Sequence, residues 1–130
     1  MTVILLRHAS AGKRSRWTGD DRLRPLDERG RRQAELLRGV LLGYGVERVL
    51  SSPYVRCTQT VAPLGFDIVP DERLAEGAAL TETLALLEEA AGAVACTHGD
   101  VIVNVIGREL KKGAAVVLDG LEIVDEVPAP

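Results

Sequence analysis

Aromatic side chains are nearly absent: Trp17, Tyr44, Tyr54 and Phe66 are the only four in 130 residues. So few rings give no stacking platform for single-stranded nucleic acid. Cysteine is equally sparse. Cys57 and Cys96 lie far apart in sequence, so the expectation is two reduced, partly buried thiols and not a disulfide or a metal pair. No apolar run approaches the ~20 residues that a bilayer span needs. No cluster of His, Cys and carboxylates has metal-ligand spacing, so neither a metal nor another cofactor is expected. The apolar run at residues 2–6 meets Arg7 and His8 at once, unlike a signal peptide, and a cytoplasmic protein is the default. Repeats, linkers and low-complexity stretches are missing too, so residues 1–130 read as one domain with one core.

Basic charge, by contrast, is concentrated. The chain carries a net charge of −3, yet residues 7–24 hold six basic side chains (Arg7, Lys13, Arg14, Arg16, Arg22, Arg24) against Asp20 and Asp21. A local positive field on an acidic body suits a small anionic ligand, whereas nucleic acid usually needs a broad basic face. Neither nucleic acid nor a membrane is expected as a partner, and the oligomeric state is open.

The hydrophobic pattern predicts an α/β fold. Residues 2–6 read as a strand buried on both faces, and 12–25 as a long polar loop. Asp27 is a good helix N-cap with Glu28 in the first turn. Apolar Ala34, Leu37, Val40 and Leu41 recur at helical spacing until Gly43 and Gly45. Further strands are predicted at 46–51, 66–69 and 93–97, and helices at 53–61, 81–91 and 101–110, the last broken by Gly113. Residues 114–118 and 121–124 flank Asp119-Gly120, a hairpin turn signal. Strands alternating with helices imply a single mostly parallel central sheet with helices on both faces. In such sheets ligands sit beyond the carboxyl ends of the strands. Arg7-His8, Ser51-Ser52-Pro53 leading to Arg56, and Thr97-His98-Gly99 all fall there.

These residues suit phosphoryl chemistry. The transfer needs a nucleophile and cationic donors on the equatorial oxygens. A neutral imidazole is a good nucleophile near pH 7. Arg7 and Arg56 disfavour a second proton on His8 and match phosphate in bidentate geometry.

Leu6-Arg7-His8-Ala9 resembles the Arg-His-Gly signature of the histidine phosphatase, or phosphoglycerate-mutase-like, superfamily. The segment Ser51-Ser52-Pro53-Tyr54-Val55-Arg56-Cys57-Thr58-Gln59-Thr60 is similar to its Ser-Ser-Pro-x-x-Arg-Ala-x-Gln-Thr block, and Thr97-His98-Gly99 to its Ser/Thr-His-Gly block. The resemblance implies that His8 is phosphorylated transiently, that Arg7, Arg56 and His98 form the phosphate pocket, and that no metal takes part. Short length and Pro25-Leu26-Asp27-x-x-Gly30 resemble a small bacterial branch. That branch holds phosphohistidine phosphatases and the phosphatase domains that follow Nudix domains in actinobacteria. No Nudix box occurs in this sequence, which points to a free-standing version. Ala9 departs from the usual Gly, at little cost if its φ is negative. The stretch from Glu76 to His98 lacks room for a substrate cap, which disfavours a mutase.

The proton donor to the leaving group is open. Glu76 sits where the family places its acid, and reads equally as a solvated loop carboxylate; Glu82 is the other candidate. A phosphohistidine substrate has a good leaving group and needs no strong acid. Arg14 and Arg16, with Lys13, follow the nucleophile closely and are expected near the pocket mouth, either gripping a substrate with further negative charge or pointing into water. Gln59 and Thr60 are expected to support the site. The expected function is phosphatase action on a small phosphorylated molecule or a phosphohistidine protein. A non-catalytic phosphate or phosphoprotein binding module on the same fold is the alternative.

Overall fold

A computed structural model describes residues 2–130. Six strands form one sheet: β1 (Thr2–Arg7), β2 (Arg48–Ser51), β3 (Ile68–Pro70), β4 (Ala93–Thr97), β5 (Ala115–Asp119) and β6 (Glu122–Val127). Their order is β3-β2-β4-β1-β5-β6. The pairs β1–β4, β2–β4 and β2–β3 are parallel, while β1–β5 and the closing hairpin β5–β6 are antiparallel. The four helices are α1 (Glu28–Leu42), α2 (Val55–Val61), α3 (Leu80–Glu88) and α4 (Gly99–Ile106).

Strand side chains alternate between two cores, as the period of two requires. Val3 and Leu5 of β1 with Ala93 and Ala95 of β4 pack among Leu86 and Leu87 of α3 and Ile102 of α4. Ile4 and Leu6 with Val94 and Cys96 face the other way, among Leu37 and Leu41 of α1 and Val61 of α2. Helices therefore cover both faces, and the continuous apolar runs of β1 and β4 follow from that double burial.

Most predicted elements are present, with shifted ends. The first helix begins at Glu28, as the Asp27 signal predicts, because the Asp27 side chain caps it by accepting from the Gly30 N–H at 2.8 Å. The helix expected over 101–110 starts at Gly99 and stops at Ile106, where Gly107 takes φ +78°. The polar 12–25 segment contains two short 3-10 turns, Arg14–Arg16 and Asp21–Leu23. Cys57 and Cys96 are free and fully buried, more so than expected. Both sheet edges are short or charged. β3 has three residues and ends in Pro70, and β6 carries Glu122, Asp125 and Glu126. No helix among the described residues is long and apolar enough to cross a membrane.

Candidate active site

Backbone bonds beyond the strand ends fix the residues that follow them. The His8 N–H donates to the Thr97 carbonyl at 3.0 Å and the Ser52 N–H to the Cys96 carbonyl at 2.9 Å. His8, Ser52, Arg56 and His98 are therefore brought together at the carboxyl end of the parallel strands, all buried. Arg7 and His8 leave β1, Arg56 stands in the first turn of α2, and His98 caps α4. These residues line one cavity of about 680 Å³. Ala9 keeps a negative φ, so its departure from glycine leaves the turn unstrained.

The tautomer of His8 follows from one contact. Its Nδ1 lies 2.8 Å from the Ala9 carbonyl oxygen, which can only accept, so Nδ1 carries the proton. Nε2 then holds a lone pair and has no hydrogen-bond partner among the described residues. Burial is the main force pushing the His8 pKa down to about 3; the Ala9 contact opposes it, and His98, Arg56 and Arg7 add smaller shifts in the same direction. The sequence reading credited the arginines, and desolvation is in fact the larger cause.

Around His8, three buried polar atoms lack partners: Arg7 Nε, Arg56 Nε and His98 Nδ1. Buried polar atoms left unmatched are costly, and three of them at one site can together receive an anion. His98 has its other nitrogen, Nε2, 2.8 Å from the Ser52 hydroxyl and 3.5 Å from Cys57 Sγ. Ser52 Oγ also accepts from the Tyr54 N–H at 3.2 Å. When its own proton is donated to Nε2, the proton of a neutral His98 stands on Nδ1.

Glycines set the approach distances. A Cβ at Gly99 would stand 2.9 Å from Arg7 Cζ and Nη2, so the Thr-His-Gly block needs glycine to seat Arg7. A Cβ at Gly30 would meet the Ser10 carbonyl oxygen at 1.9 Å, which explains the Asp-x-x-Gly pattern. Asp27 fastens the same loop, accepting from Ser10 Oγ at 2.8 Å and from the Gly12 N–H at 3.1 Å. Thr60 Oγ1 accepts from the Ala9 N–H at 3.0 Å and Gln59 from the Leu26 N–H at 2.8 Å, so both support the site.

Sequence reasoning missed Asp21. Its carboxylate receives Arg56 at 3.0 Å, Arg24 at 2.8 Å and Arg14 at 3.4 Å, and its backbone carbonyl takes a further bond from Arg56 at 2.8 Å. Partial burial opposes ionisation of Asp21, but the Arg24 hydrogen bond and the charges of Arg56 and Arg14 outweigh it and lower its pKa. The only hint in the sequence was its place among six basic residues. Glu76 lines the cavity, 2.5 Å from Arg14 and 3.6 Å from Arg56. Glu82 is exposed in the first turn of α3 and does not line the cavity. Lys13 and Arg14 line it, whereas Arg16 faces a neighbouring hollow beside Trp17. Among the described residues no three His, Cys, Asp or Glu side chains are grouped as metal ligands would be.

The family model described as histidine phosphatase superfamily (branch 1) matches residues 3–81. The chain belongs to that superfamily. A histidine phosphatase fold also relates it to solved structures. The protein histidine phosphatase SixA, solved with tungstate, superposes with a TM-score of 0.80 at 21% identity, covering 98% of this chain and 97% of that one. The Agrobacterium tumefaciens protein named SixA gives 0.80 at 25% identity, over 99% and 98% of the two chains. In sequence, the chain is 41% identical over 118 residues to an 8-oxo-(d)GTP phosphatase of Mycolicibacterium smegmatis. The match covers 81% of this chain and 36% of the relative, so the chain spans about a third of that protein's length.

Proposed function

We propose that the protein is a metal-independent phosphatase that hydrolyses a phosphomonoester or a phosphohistidine through a covalent phosphohistidine on His8. The observation that carries this reading is the single-sided hydrogen bonding of His8: Nδ1 held by the Ala9 carbonyl, Nε2 free beside a cradle of unmatched polar atoms. Nε2 attacks phosphorus and the bond to the leaving group breaks, P–O in a phosphomonoester or P–N in a phosphohistidine. Arg7, Arg56 and His98 Nδ1 take up the charge on the equatorial oxygens. Water then attacks the phosphohistidine, releasing inorganic phosphate and the neutral imidazole.

Glu76 is the candidate to protonate the leaving group or activate the water, once it separates from Arg14. Lys13 and Arg14 stand where they meet the remainder of a charged substrate. The SixA likeness and the name of the M. smegmatis relative support phosphorylated substrates of both kinds, protein and small molecule. The guanidinium groups supply the positive charge that a metal ion would otherwise bring.

The test is turnover of p-nitrophenyl phosphate in EDTA, with acid-labile phosphate trapped on the protein. His8→Ala is expected to lower kcat at least ~10³-fold and to remove the trapped phosphate. Phosphate binding without turnover would favour a binding module, and activity that needs a restored metal would overturn the mechanism.

A further inference from the structure

A phosphoryl group occupies only part of the cavity. At about one water volume, ~30 Å³, per heavy atom, its five atoms need roughly 150 Å³, against about 680 Å³ present. A cavity of that size takes a whole small molecule. The rest of its wall has no Trp, Tyr or Phe side chain, so what lies beyond the phosphoryl group is not recognised by stacking.

Charge is what the wall offers, with the carboxylates Asp100 and Glu109 outnumbered by its cations. Arg14, Arg24 and Arg56 are already matched by Asp21 and Glu76. Lys13 and Lys112 also line the cavity, and neither has an ion-pair partner among the described residues. Lys112 is the more telling of the two. Partial desolvation and repulsion from Arg7, Arg24 and Arg56 lower its pKa, and Asp27 offsets only part of this. An ammonium repelled by three guanidinium groups is stabilised when an anion arrives between them.

We propose that Lys112 and Lys13 form a second anion subsite, and that the substrate is a small molecule whose transferred phosphoryl group is joined to a further phosphate. The inference rests on the phosphatase reading and narrows it. His8 Nε2 bonds to the terminal phosphorus, the bond to the bridging oxygen breaks, and the electron pair leaves on a phosphate anion that Lys112 stabilises. Water then cleaves the N–P bond. Such a leaving group needs little protonation, so Glu76 can stay in its ion pairs with Arg14 and Arg56 during the transfer.

The experiment compares inorganic triphosphate with p-nitrophenyl phosphate as substrates of the wild type, Lys112→Ala and Lys112→Arg. Lys112→Ala is expected to lower the ratio of the two kcat/KM values about tenfold, mainly through KM for triphosphate. Lys112→Arg is expected to restore the ratio within about threefold, and the loss to shrink at high salt. An unchanged ratio overturns the subsite, and so does a phosphohistidine peptide turned over in preference to triphosphate. If the wild type turns over neither substrate, the phosphatase reading fails. Calorimetry of triphosphate binding to wild type and Lys112→Ala then decides the subsite alone: equal affinities overturn it, and a tenfold loss supports it.

Discussion

The Arg56 side of the cavity and the Arg7 side present the same functional group and hold it by different means. Arg56 is 1% exposed and tied to the carboxylate and the carbonyl of Asp21, with Glu76 beyond. Arg7 is held by the Leu110 carbonyl at 2.6 Å and by the space that Gly99 leaves. Among the described residues no carboxylate is ion-paired with Arg7, although Glu109 acts on its charge from farther off, and Lys112 stands near it. One side is rigid and nearly neutral; the other keeps its positive charge for an incoming anion. A buried charge is tolerable in either form, by pairing or by solvation through an open cavity. The contrast shows how a site can be pre-organised without being neutralised.

Removing either arginine tests the contrast most strongly. Arg7→Ala is expected to lower kcat/KM for p-nitrophenyl phosphate ~10²-fold, the loss typical of one charge-stabilising donor. Arg56→Ala is expected to cost ~10³-fold, because it also leaves Asp21 and Glu76 facing the phosphate with fewer partners. Adding Asp21→Asn to Arg56→Ala then recovers about tenfold. Equal losses at the two positions, with no recovery, would mean that Asp21 does not distinguish the two sides.

Two glycines extend the comparison to backbone and side chain. Gly99→Ala pushes on the mobile tip of Arg7, so kcat is expected to fall ~30-fold while thermal stability changes little. Gly30→Ala pushes on the Ser10 backbone, which cannot swing aside, and is expected to cost about 3 kcal/mol in denaturant unfolding. Similar stability losses for the two would contradict this placement of strain.

The His8 pKa of about 3 lies below the ordinary 6.5. The folded state therefore binds fewer protons than the unfolded state between those values, and stability is lost as pH falls through 6.5 toward 3. The loss from this group at pH 5 is about 2 kcal/mol. His8→Asn is expected to flatten the stability profile between pH 7 and 5 by that amount; an unaltered slope would show that His8 is not desolvated. The smallest effect belongs to the exposed pair. Arg14→Ala is expected to change p-nitrophenyl phosphate turnover only about twofold, since it removes a surface ion pair, and a hundredfold change would make Arg14 part of the phosphoryl cradle.

The elements that carry site residues were legible because their signals are local. An apolar run ending in Arg7-His8 marks a buried strand and its mouth, and Asp27 marks a helix start. The three blocks named four of the lining side chains before their meeting point was known. Asp21 and Lys112 were not legible for the same physical reason. Asp21 sits in a polar loop, where nothing in the local pattern says which arginine it faces. Lys112 reaches Arg7 only because β5 returns beside β1, a pairing across more than a hundred residues. The end of α4 was misplaced because Leu110 continues the apolar periodicity past Gly107, while the left-handed φ at Gly107 ends the helix.

The two margins of the sheet bear on how the molecule behaves when crowded. A strand at a margin offers unpaired amide and carbonyl groups to any passing chain and is a seed for aggregation. Here β3 stops after three residues at a proline, which has no amide hydrogen to offer. The outer strand β6 sets Glu122, Asp125 and Glu126 along its length, so two copies meeting margin to margin bring like charges together. The acidity of the body, which looks like mere background to the basic pocket, thereby works against growth from margin to margin.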